Sequence, residues 1–457
     1  MNEYVVTTSW DDGAIEDMQL IALLEKYRIP ATFYISPKNS ERKILKNSEI
    51  KQIAKKFEIG AHSLHHFDLT SLSEDQATEE ITKSKQKLEQ MIGEKVTSFC
   101  YPKGKINQTI KQLVGSAGFQ YARTVQLFGT SVEDILLAPT TVHAYPHNPL
   151  AYIKHGADRK LFYHLLKTET KFDWEILAKR SLDWCIAKKK IYHLWGHSWE
   201  IAEKREWGKL ERVFSYIAEK TESNLRVTNR ELSEKITAKK YSYYANRDAE
   251  SYQNTYATKY YHAEENFLSN LIKDFDKEEK SILDIGCGTG RISTLFKNPK
   301  YEGVDTSSSF IQYAKQHFQS RKKRFKVSNF QTIENNGTQD LILILGMFED
   351  RVDPLQAIET LKPCIKKGTR IIFTLHNNNN PVFYLLNRIK GESNKIVFPN
   401  TSFTPEFLQK QLKIFCARNK YFCELTTYGL IPPILPIVPG IQGWKGGETI
   451  YIILDKK

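Results

Sequence analysis

Two adjacent carboxylates, Asp11 and Asp12, stand near the start of the chain in the sequence Thr-Ser-Trp-Asp-Asp-Gly at residues 8–13. The run before them, at 4–7, predicts a short buried strand, so both carboxylates fall where that strand enters a glycine turn. Like charges this close raise each other's pKa, and a bound cation relieves their repulsion. One carboxylate could then ligate a metal while the other acts as a base. The competing interpretation is an Asp-Gly turn without a chemical role.

A pair of imidazoles follows at His62 and His66, after the strand-like run at 58–61. Their i, i+4 spacing predicts that they share one face of a helical turn. Two imidazoles and one carboxylate make a three-ligand set that leaves coordination positions for water and substrate. The candidate ligands of a divalent metal, with zinc favoured, are therefore Asp12, His62 and His66. His65 is interpreted as a surface or neighbouring histidine.

Two later segments complete the set of motifs. Residues 98–104, Ser-Phe-Cys-Tyr-Pro-Lys-Gly, predict a strand that enters a proline-glycine turn, and residues 191–197, Ile-Tyr-His-Leu-Trp-Gly-His, predict a strand that ends on His197. With these four ordered motifs, residues 1–232 resemble the polysaccharide deacetylases of carbohydrate esterase family 4, the relatives of the rhizobial chitooligosaccharide deacetylase.

The resemblance implies a reaction, the hydrolysis of an N-acetyl group on an amino sugar. Asp11 matches the general base of the family and His197 its general acid, while the three candidate ligands match its metal site. The base would take a proton from the attacking water, the metal and the backbone N–H of Lys103 would stabilise the oxyanion, and the acid would protonate the departing amine. The positions that the resemblance places on the substrate side, or beside it, are Tyr101, Pro102, Lys103, Arg123 and Trp195.

One residue departs from the family pattern. Many members carry an arginine, which orients the catalytic aspartate, where this chain has Cys100. Arg123, on a following predicted strand, could replace that arginine. The equally weighted alternative is a surface arginine without a role in the site.

The first half of the chain alternates predicted strands and helices. Ser73 and Gln76 form a capping-box pattern that begins a long helix, and Gly93 ends it. This βα order predicts a parallel barrel with its chemistry at the carboxyl ends of the strands. The resemblance adds that the barrel is distorted and incomplete.

The second half opens on a different motif. A predicted strand at 281–285 runs into Gly286-Cys287-Gly288-Thr289-Gly290, and a second strand ends on Asp305, which could accept both hydroxyls of a ribose. A dinucleotide fold would need the order GxGxxG on that turn. The order found here, with Asp284 before the first glycine, resembles the class I methyltransferases that use S-adenosylmethionine. The resemblance covers roughly 240–457 and implies a Rossmann-like sheet that ends in an antiparallel pair.

The methyltransferase resemblance also implies site residues. Asn329 stands where the family contacts adenine, usually through an acidic residue. The implied cofactor-binding residues are Asp284, Gly286, Gly288, Gly290, Asp305, Asn329 and Gly346, and the implied methyl-acceptor residues are His376 and Asn377.

Length and composition indicate the number of domains, the kinds of partner and the location of the protein. A chain of 457 residues predicts two domains, which we assign to 1–232 and 248–457 with a connector at 233–247. The net charge of +13 could serve an anionic carrier or a membrane surface, whereas no nucleic-acid recognition module appears. The six cysteines show no regular spacing, no secretory leader is recognised, and no apolar run could span a bilayer. We therefore expect reduced thiols and a cytoplasmic location.

Together these patterns predict a bifunctional enzyme. Deacetylation frees an amine, which accepts a methyl group far better than an amide does, so we expect methylation of the same molecule. One alternative is O-methylation of the glycan or its carrier. Another is that one domain is degenerate and acts as a binding module.

Overall fold

The computed structural model describes residues 3–146, 160–162, 165, 173–245, 248–255, 259–328, 338–346, 358, 360–376, 412, 416–417, 420–428 and 449–457. The chain divides into two compact units, Met1–Lys239 and Lys240–Lys457, called here the N-terminal and C-terminal units. Their boundary falls inside the predicted connector, which is helical as far as Ala245.

The N-terminal unit alternates strands and helices, as its sequence predicts. Its strands are β1 Val5–Asp12, β2 Thr32–Ile35, β3 Glu58–Ala61, β4 Ser98–Cys100, β5 Tyr121–Arg123, β6 Val142–His143, β7 Ile191–Gly196 and β8 Arg226–Val227. Its helices are α1 Asp17–Lys26, α2 Asn47–Ala54, α3 Glu74–Ile92, α4 Gln108–Ser116, α5 Trp174–Lys188, α6 Ser198–Glu203, α7 Trp207–Lys220 and α8 Asn229–Ala245.

The strands of this unit form one parallel sheet that curls into a distorted barrel, confirming the predicted fold. The order is β5-β4-β3-β2-β1-β7-β6, and β8 pairs with β1. The edge strands β5 and β6 are linked by one stretch of chain. Ala138 bridges Arg123, and four residues later Val142 pairs with Leu194 of β7. Because all these strands are parallel, their carboxyl ends meet at one rim of the barrel.

The predicted capping of α3 is confirmed. The Ser73 side chain accepts a hydrogen bond from the Gln76 backbone N–H, and the Gln76 side chain accepts one from Ser73 N–H. Gly93 ends the helix with a left-handed φ of 80°. This helix packs beside the loop that carries the paired histidines, and its Glu80 carboxylate accepts hydrogen bonds from the backbone N–H groups of Leu64 and His65.

The C-terminal unit is an α/β structure with one sheet that contains both parallel and antiparallel strand pairs. Its strands are β9 Ser281–Ile285, β10 Lys300–Asp305, β11 Lys323–Val327, β12 Gln339–Ile344, β13 Ile365–His376, β14 Tyr421–Tyr428 and β15 Thr449–Lys456, and its described helices are α9 Ala249–Thr255, α10 Lys259–Ile272 and α11 Ser308–Phe318. The strand order is β11-β10-β9-β12-β13-β15-β14. Strand β15 runs antiparallel to both β13 and β14, which confirms the predicted antiparallel end of the sheet.

The hydrophobic core of the C-terminal unit is built around its central strands. The central strands of the C-terminal unit supply fully buried residues such as Ile342, Ile371 and Ile452 to its core. Among the described helices of both units, none combines the length and the apolar character that crossing a bilayer requires.

Candidate active sites

The two carboxylates of β1 lie at the rim of the barrel and are almost completely buried, with exposed fractions of 2% for Asp11 and 1% for Asp12. Asp12 has a left-handed φ of 80° and Gly13 one of 65°. A Cβ on Gly13 would stand 2.9 Å from a methyl carbon of Ile35, so the turn needs a glycine there. This reversal sends the chain away from the site directly after the second carboxylate.

The three candidate metal ligands come together. Asp12 Oδ1 lies 3.3 Å from His66 Nε2 and 3.8 Å from His62 Nε2. Asp12 Oδ1 is buried and has no hydrogen-bond partner among the described residues. The ligand atoms of Asp12, His62 and His66 lie close enough together to hold one metal ion.

In both histidines the outer ring nitrogen, Nδ1, which faces away from Asp12, is held by a hydrogen bond. His62 Nδ1 donates to the backbone oxygen of Cys100 at 2.8 Å, and His66 Nδ1 donates to the Glu41 carboxylate at 2.9 Å. Since neither acceptor can donate, each ring carries its proton on Nδ1 and turns the Nε2 lone pair toward Asp12. Burial lowers the pKa of His62 to about 4, which keeps it in the neutral form that ligates metals. The residues present therefore fit a divalent metal.

The predicted helical turn for the histidine pair is wrong. His62 and His66 belong to a loop in which Ser63 has a φ of 59° and His66 a φ of 63°. A right-handed helix cannot contain such residues. The loop instead closes on itself through a hydrogen bond from His66 N–H to the Ser63 hydroxyl, 3.1 Å long.

Asp11 is held by donors from three other strands. Arg123 donates to both of its carboxylate oxygens, and Trp195 Nε1 donates to Oδ2 at 2.8 Å. Cys100 Sγ lies 3.4 Å from the same oxygen. Burial alone would raise the pKa of Asp11, but the charges of Arg123, His62 and His197 lower it below its ordinary value. The carboxylate is therefore charged.

Arg123 is completely buried rather than at the surface. It pairs in register with Cys100 across the parallel strands β5 and β4. Its guanidinium reaches Asp11 from the position beside the one where many family members carry their arginine, and it also donates to Cys100 Sγ at 2.8 Å. A short side chain at 100 leaves room for this approach.

His197 follows β7 and faces the same carboxylates. Its Nδ1 donates to Glu200 at 2.7 Å, and its Nε2 lies 3.9 Å from Asp12 Oδ2. Burial by itself would lower the pKa of His197, but the Glu200 hydrogen bond and the two aspartates raise it above its ordinary value. These contacts favour the form of the imidazole that carries a proton on the nitrogen facing the site.

These groups line a cavity of about 480 Å³, a size that suits a small ligand. Tyr101 contributes its ring while its hydroxyl donates to the backbone of Leu136, and Lys103 stands on the wall with a left-handed φ of 57°. Pro102 is buried beside them and does not line the cavity. The lining consists of Asp11, Asp12, Arg42, His62, His66, Tyr101, Lys103, Gly104, Val125, Leu127, His143, Tyr145, Trp195, His197 and Trp199.

Four residues that contact Asp12, His66 or His197 were not predicted from the sequence. Trp199 Nε1 donates to Asp12 Oδ2 at 2.9 Å, and Arg42 Nε lies 3.3 Å from the same oxygen. Glu41 and Glu200 hold the outer nitrogens of His66 and His197. An acidic residue three positions after His197 was a signal for Glu200, whereas nothing in the sequence around Glu41 and Arg42 points to the site.

In the C-terminal unit the glycine loop follows β9 as predicted. All three glycines have left-handed φ values, 74° at Gly286, 55° at Gly288 and 83° at Gly290. A Cβ on Gly290 would stand 2.9 Å from the Cβ of Ala314 in α11, so this glycine allows close packing of loop and helix. Gly346 follows β12, and its N–H donates to the Thr374 hydroxyl at 2.8 Å.

Both predicted acids of the C-terminal unit lie beside that loop. Asp305 accepts hydrogen bonds from Gly288 N–H at 2.9 Å and Ser307 N–H at 2.8 Å. Asp284 is buried, and it accepts a hydrogen bond from the Tyr301 hydroxyl. Burial raises the pKa of Asp284 to about 7.

The remaining predicted residues of this unit lie at or beyond the edge of the described structure. Asn329 and Asn377 lie outside the described residues, and His376 ends β13 with its side chain undescribed. A contact that was not predicted joins α9 to the loop, where the Thr289 hydroxyl donates to Gln253 at 2.6 Å.

Comparison with known proteins gives a family match in each unit. The family model for polysaccharide deacetylase matches residues 1–122, and one for a methyltransferase domain matches residues 276–421. The uncharacterized protein YlxY of Bacillus subtilis is 29% identical over 115 residues, which cover 24% of this chain and 33% of YlxY. The tRNA U34 carboxymethyltransferase of Campylobacter fetus is 31% identical over 162 residues, which cover 33% of this chain and 55% of that protein.

Among solved structures, the Xyl-CE4 domain of a multidomain xylanase from the hindgut metagenome of Trinervitermes trinervoides is 18% identical, with a TM-score of 0.34, and the match covers 52% of this chain and 92% of that one. The chain spans a third to about half of the curated relatives named above. The two family models, one in each unit, carry the assignment. The chain therefore contains a polysaccharide deacetylase domain in its N-terminal unit and a methyltransferase domain in its C-terminal unit.

Proposed function

We propose that the N-terminal unit hydrolyses the N-acetyl group of an amino sugar with the help of a divalent metal, zinc being our first choice. The observation that carries this proposal is the orphaned oxygen of Asp12, buried between two imidazole nitrogens whose rings are fixed by their outer hydrogen bonds. A buried charged oxygen without a partner is costly, and a metal held by Asp12, His62 and His66 removes that cost. Bound there, the ion would polarise the acetamide and acidify a water molecule.

The residues around that site divide the proton transfers. Asp11 accepts the proton of the attacking water, since Arg123 keeps it charged and Trp195 fixes its orientation. The backbone N–H of Lys103, on the cavity wall, donates to the developing oxyanion. His197 gives its Nε2 proton to the departing amine, which leaves acetate and a free amino sugar as products.

For the C-terminal unit we propose S-adenosylmethionine as the cofactor, which would supply an electrophilic methyl group. The glycine loop would lie against its methionine end. A carboxylate offers about four acceptor positions, and two of those on Asp305 are taken by backbone N–H groups. The backbone N–H of Thr306 also acts on this carboxylate, and we propose that its remaining acceptor positions take the two ribose hydroxyls. Asn329, His376 and Asn377 remain predicted contacts to adenine and to the acceptor.

We propose that the amine freed by deacetylation is the methyl acceptor, because an amine carries a lone pair that an amide delocalises. The six free cysteines support the proposed cytoplasmic location.

The test combines both reactions in one tube. Acetate release from N-acetylglucosamine oligosaccharides and nucleotide sugars is measured together with methyl incorporation from labelled S-adenosylmethionine, with wild type and Asp11→Asn. We expect Asp11→Asn to lose both signals, because without a freed amine there is nothing to methylate. Methylation that persists in Asp11→Asn would assign the methyl group to a hydroxyl or to another molecule.

A further inference from the structure

Arg42 is a cation of the deacetylase cavity that the proposed hydrolysis does not use. It lies on the loop after β2, which is fixed to the carboxylate turn by hydrogen bonds from Leu45 N–H to Gly13 O at 2.8 Å and from Ile15 N–H to Lys43 O at 3.3 Å. Its side chain is 23% exposed and lines the cavity. The position of Arg42 is therefore set by the same turn that carries the metal-ligand candidate.

The guanidinium of Arg42 lies over the ring of Trp199. Its central carbon lies 3.6 Å from the centre of the Trp199 ring. Its Nε points toward Asp12 Oδ2 at 3.3 Å but makes no hydrogen bond with good geometry. In the described part of the chain, no acceptor meets its terminal amino groups. Stacking on an indole occupies the face of a guanidinium and leaves its edge free for donation.

The other charges around the cavity are paired among themselves. Asp11 pairs with the buried Arg123. Lys103 Nζ lies 2.8 Å from Glu41, and His197 lies 2.7 Å from Glu200. Among the described residues, the acidic neighbour of Arg42 is Asp12, whose carboxylate is also the candidate ligand of a divalent cation. The cavity thus keeps a positive charge at the edge of Arg42.

We propose that Arg42, stacked on Trp199, binds an oxyanion carried by the substrate, so that the preferred substrate is an acetamido sugar with a phosphate or carboxylate group. A guanidinium edge matches either group with two parallel hydrogen bonds. The inference rests on the proposed deacetylation and names its substrate class. The rival role for Arg42 is to position Asp12 alone, in which case the charge of the substrate would not matter.

Substrate charge separates these roles. We would compare acetate release from N-acetylglucosamine, N-acetylglucosamine 1-phosphate and N-acetylmuramic acid, using wild type, Arg42→Gln, and Lys105→Gln as a control. Lys105 pairs with Asp68 outside the cavity lining. A lost charged hydrogen bond costs about 1.5–3 kcal/mol, or roughly 10- to 150-fold. We expect Arg42→Gln to lower kcat/KM for an anionic substrate by that factor more than for the neutral sugar, whose own loss measures the contact of Arg42 with Asp12.

The two anionic substrates distinguish a phosphate from a carboxylate as the group recognised. A uniform loss across all three substrates would assign Arg42 to positioning Asp12 and overturn the proposal. Equal wild-type kcat/KM values for neutral and anionic sugars would overturn it as well.

A binding measurement decides the point without activity. The same three sugars are titrated calorimetrically into two zinc-loaded proteins, Asp11→Asn, which is expected not to hydrolyse them, and Asp11→Asn combined with Arg42→Gln. We expect the anionic sugars to bind the protein with Arg42 at least about tenfold more tightly than the neutral one, and this preference to disappear in the double variant. Absence of any preference in the protein with Arg42 would contradict the proposal. A preference in the protein with Arg42, together with no acetate release from any sugar by wild type, would contradict the proposed hydrolysis instead.

Discussion

The acidic residues of the deacetylase site and of the glycine-loop site differ in how their carboxylate oxygens are hydrogen-bonded. In the N-terminal unit a buried oxygen of Asp12 accepts no hydrogen bond within the described part of the chain, and the nearest imidazole nitrogens direct their lone pairs toward it. In the C-terminal unit the carboxylate of Asp305 already accepts two backbone hydrogen bonds and that of Asp284 accepts one from Tyr301.

The difference bears on the ligand that we propose for each site. An orphaned carboxylate oxygen between imidazoles suits the proposed cation, and side chains from several strand ends and loops form this first site. The second site is formed mainly by backbone, in a loop with three left-handed glycines. At Gly290 the missing side chain lets this loop pack closely against α11. We therefore expect the first site to be most sensitive to charge and the second to be most sensitive to added volume.

The largest expected effect comes from Arg123→Leu. Removing one partner of a buried ion pair leaves an uncompensated charge, which costs about 3–5 kcal/mol of unfolding free energy. Acetate release should fall by at least about 100-fold, because Asp11 loses both its charge partner and its orientation. Denaturant unfolding and an acetate assay measure the two effects.

A strand-to-strand exchange tests the reason for this effect. Cys100 and Arg123 are register partners, so the double variant Cys100→Arg with Arg123→Cys returns a guanidinium to Asp11 from the neighbouring strand. We expect it to recover part of the stability and activity that Arg123→Leu loses. A double variant as impaired as Arg123→Leu in both measurements would show that the site needs the arginine on β5.

The second prediction concerns volume at the glycine loop. Gly290→Ala places a Cβ 2.9 Å from Ala314 Cβ at a φ of 83°, so we expect a loss of about 2 kcal/mol and weaker S-adenosylmethionine binding. Gly368→Ala is the matched control, since Gly368 has a φ of 86° and open space around its Cβ position. If calorimetric binding and unfolding change equally in both variants, backbone strain rather than packing explains the effect.

The third prediction concerns the outer hydrogen bond of a metal ligand. Glu41→Gln weakens the acceptor that fixes His66 Nδ1, and such changes typically lower metal affinity by about 10- to 100-fold. A zinc titration against a chromophoric chelator measures this affinity. Lys103→Gln removes the other partner of Glu41 and keeps the contact to His66. Equal zinc affinities for wild type and Glu41→Gln would remove Glu41 from the metal site.

Local patterns in the sequence predicted much of the fold. The capping box at Ser73, the glycine stop at Gly93 and the βα alternation depend on neighbours along the chain, and each appears in the structure. The motif residues also fall at strand ends, where parallel pairing brings them to one rim. The sheet order of the second unit followed from resemblance rather than from local pattern.

The missed features depend on contacts between distant segments. Glu41 and Arg42 reach the site because their loop pairs with the turn after β1, and no local pattern encodes that pairing. The error at His62 and His66 has the same origin. Their spacing suits a helix, but the left-handed loop is fixed by the Ser63 hydroxyl and by Glu80 of α3, which is 14 residues beyond His66 in the chain.

The smallest expected effect is a shift in pH dependence from Glu200→Gln. Glu200 accepts from His197 Nδ1 and helps to raise the pKa of that imidazole. An acid catalyst must be protonated, so wild-type kcat should fall as the pH rises through the raised pKa, and Glu200→Gln should move this alkaline limb to lower pH.

The same pair links stability to pH, because the pKa of His197 is higher in the folded than in the unfolded chain. Its contribution is complete below the unfolded pKa and is lost as the pH rises through the folded one, so Glu200→Gln should destabilise the protein on the acidic side of that range only. Glu203→Gln, an exposed position on the same helix, is the control and should leave both profiles in place. If the alkaline limb of the kcat–pH profile lies at the same pH in Glu200→Gln and wild type, another group donates the proton to the departing amine.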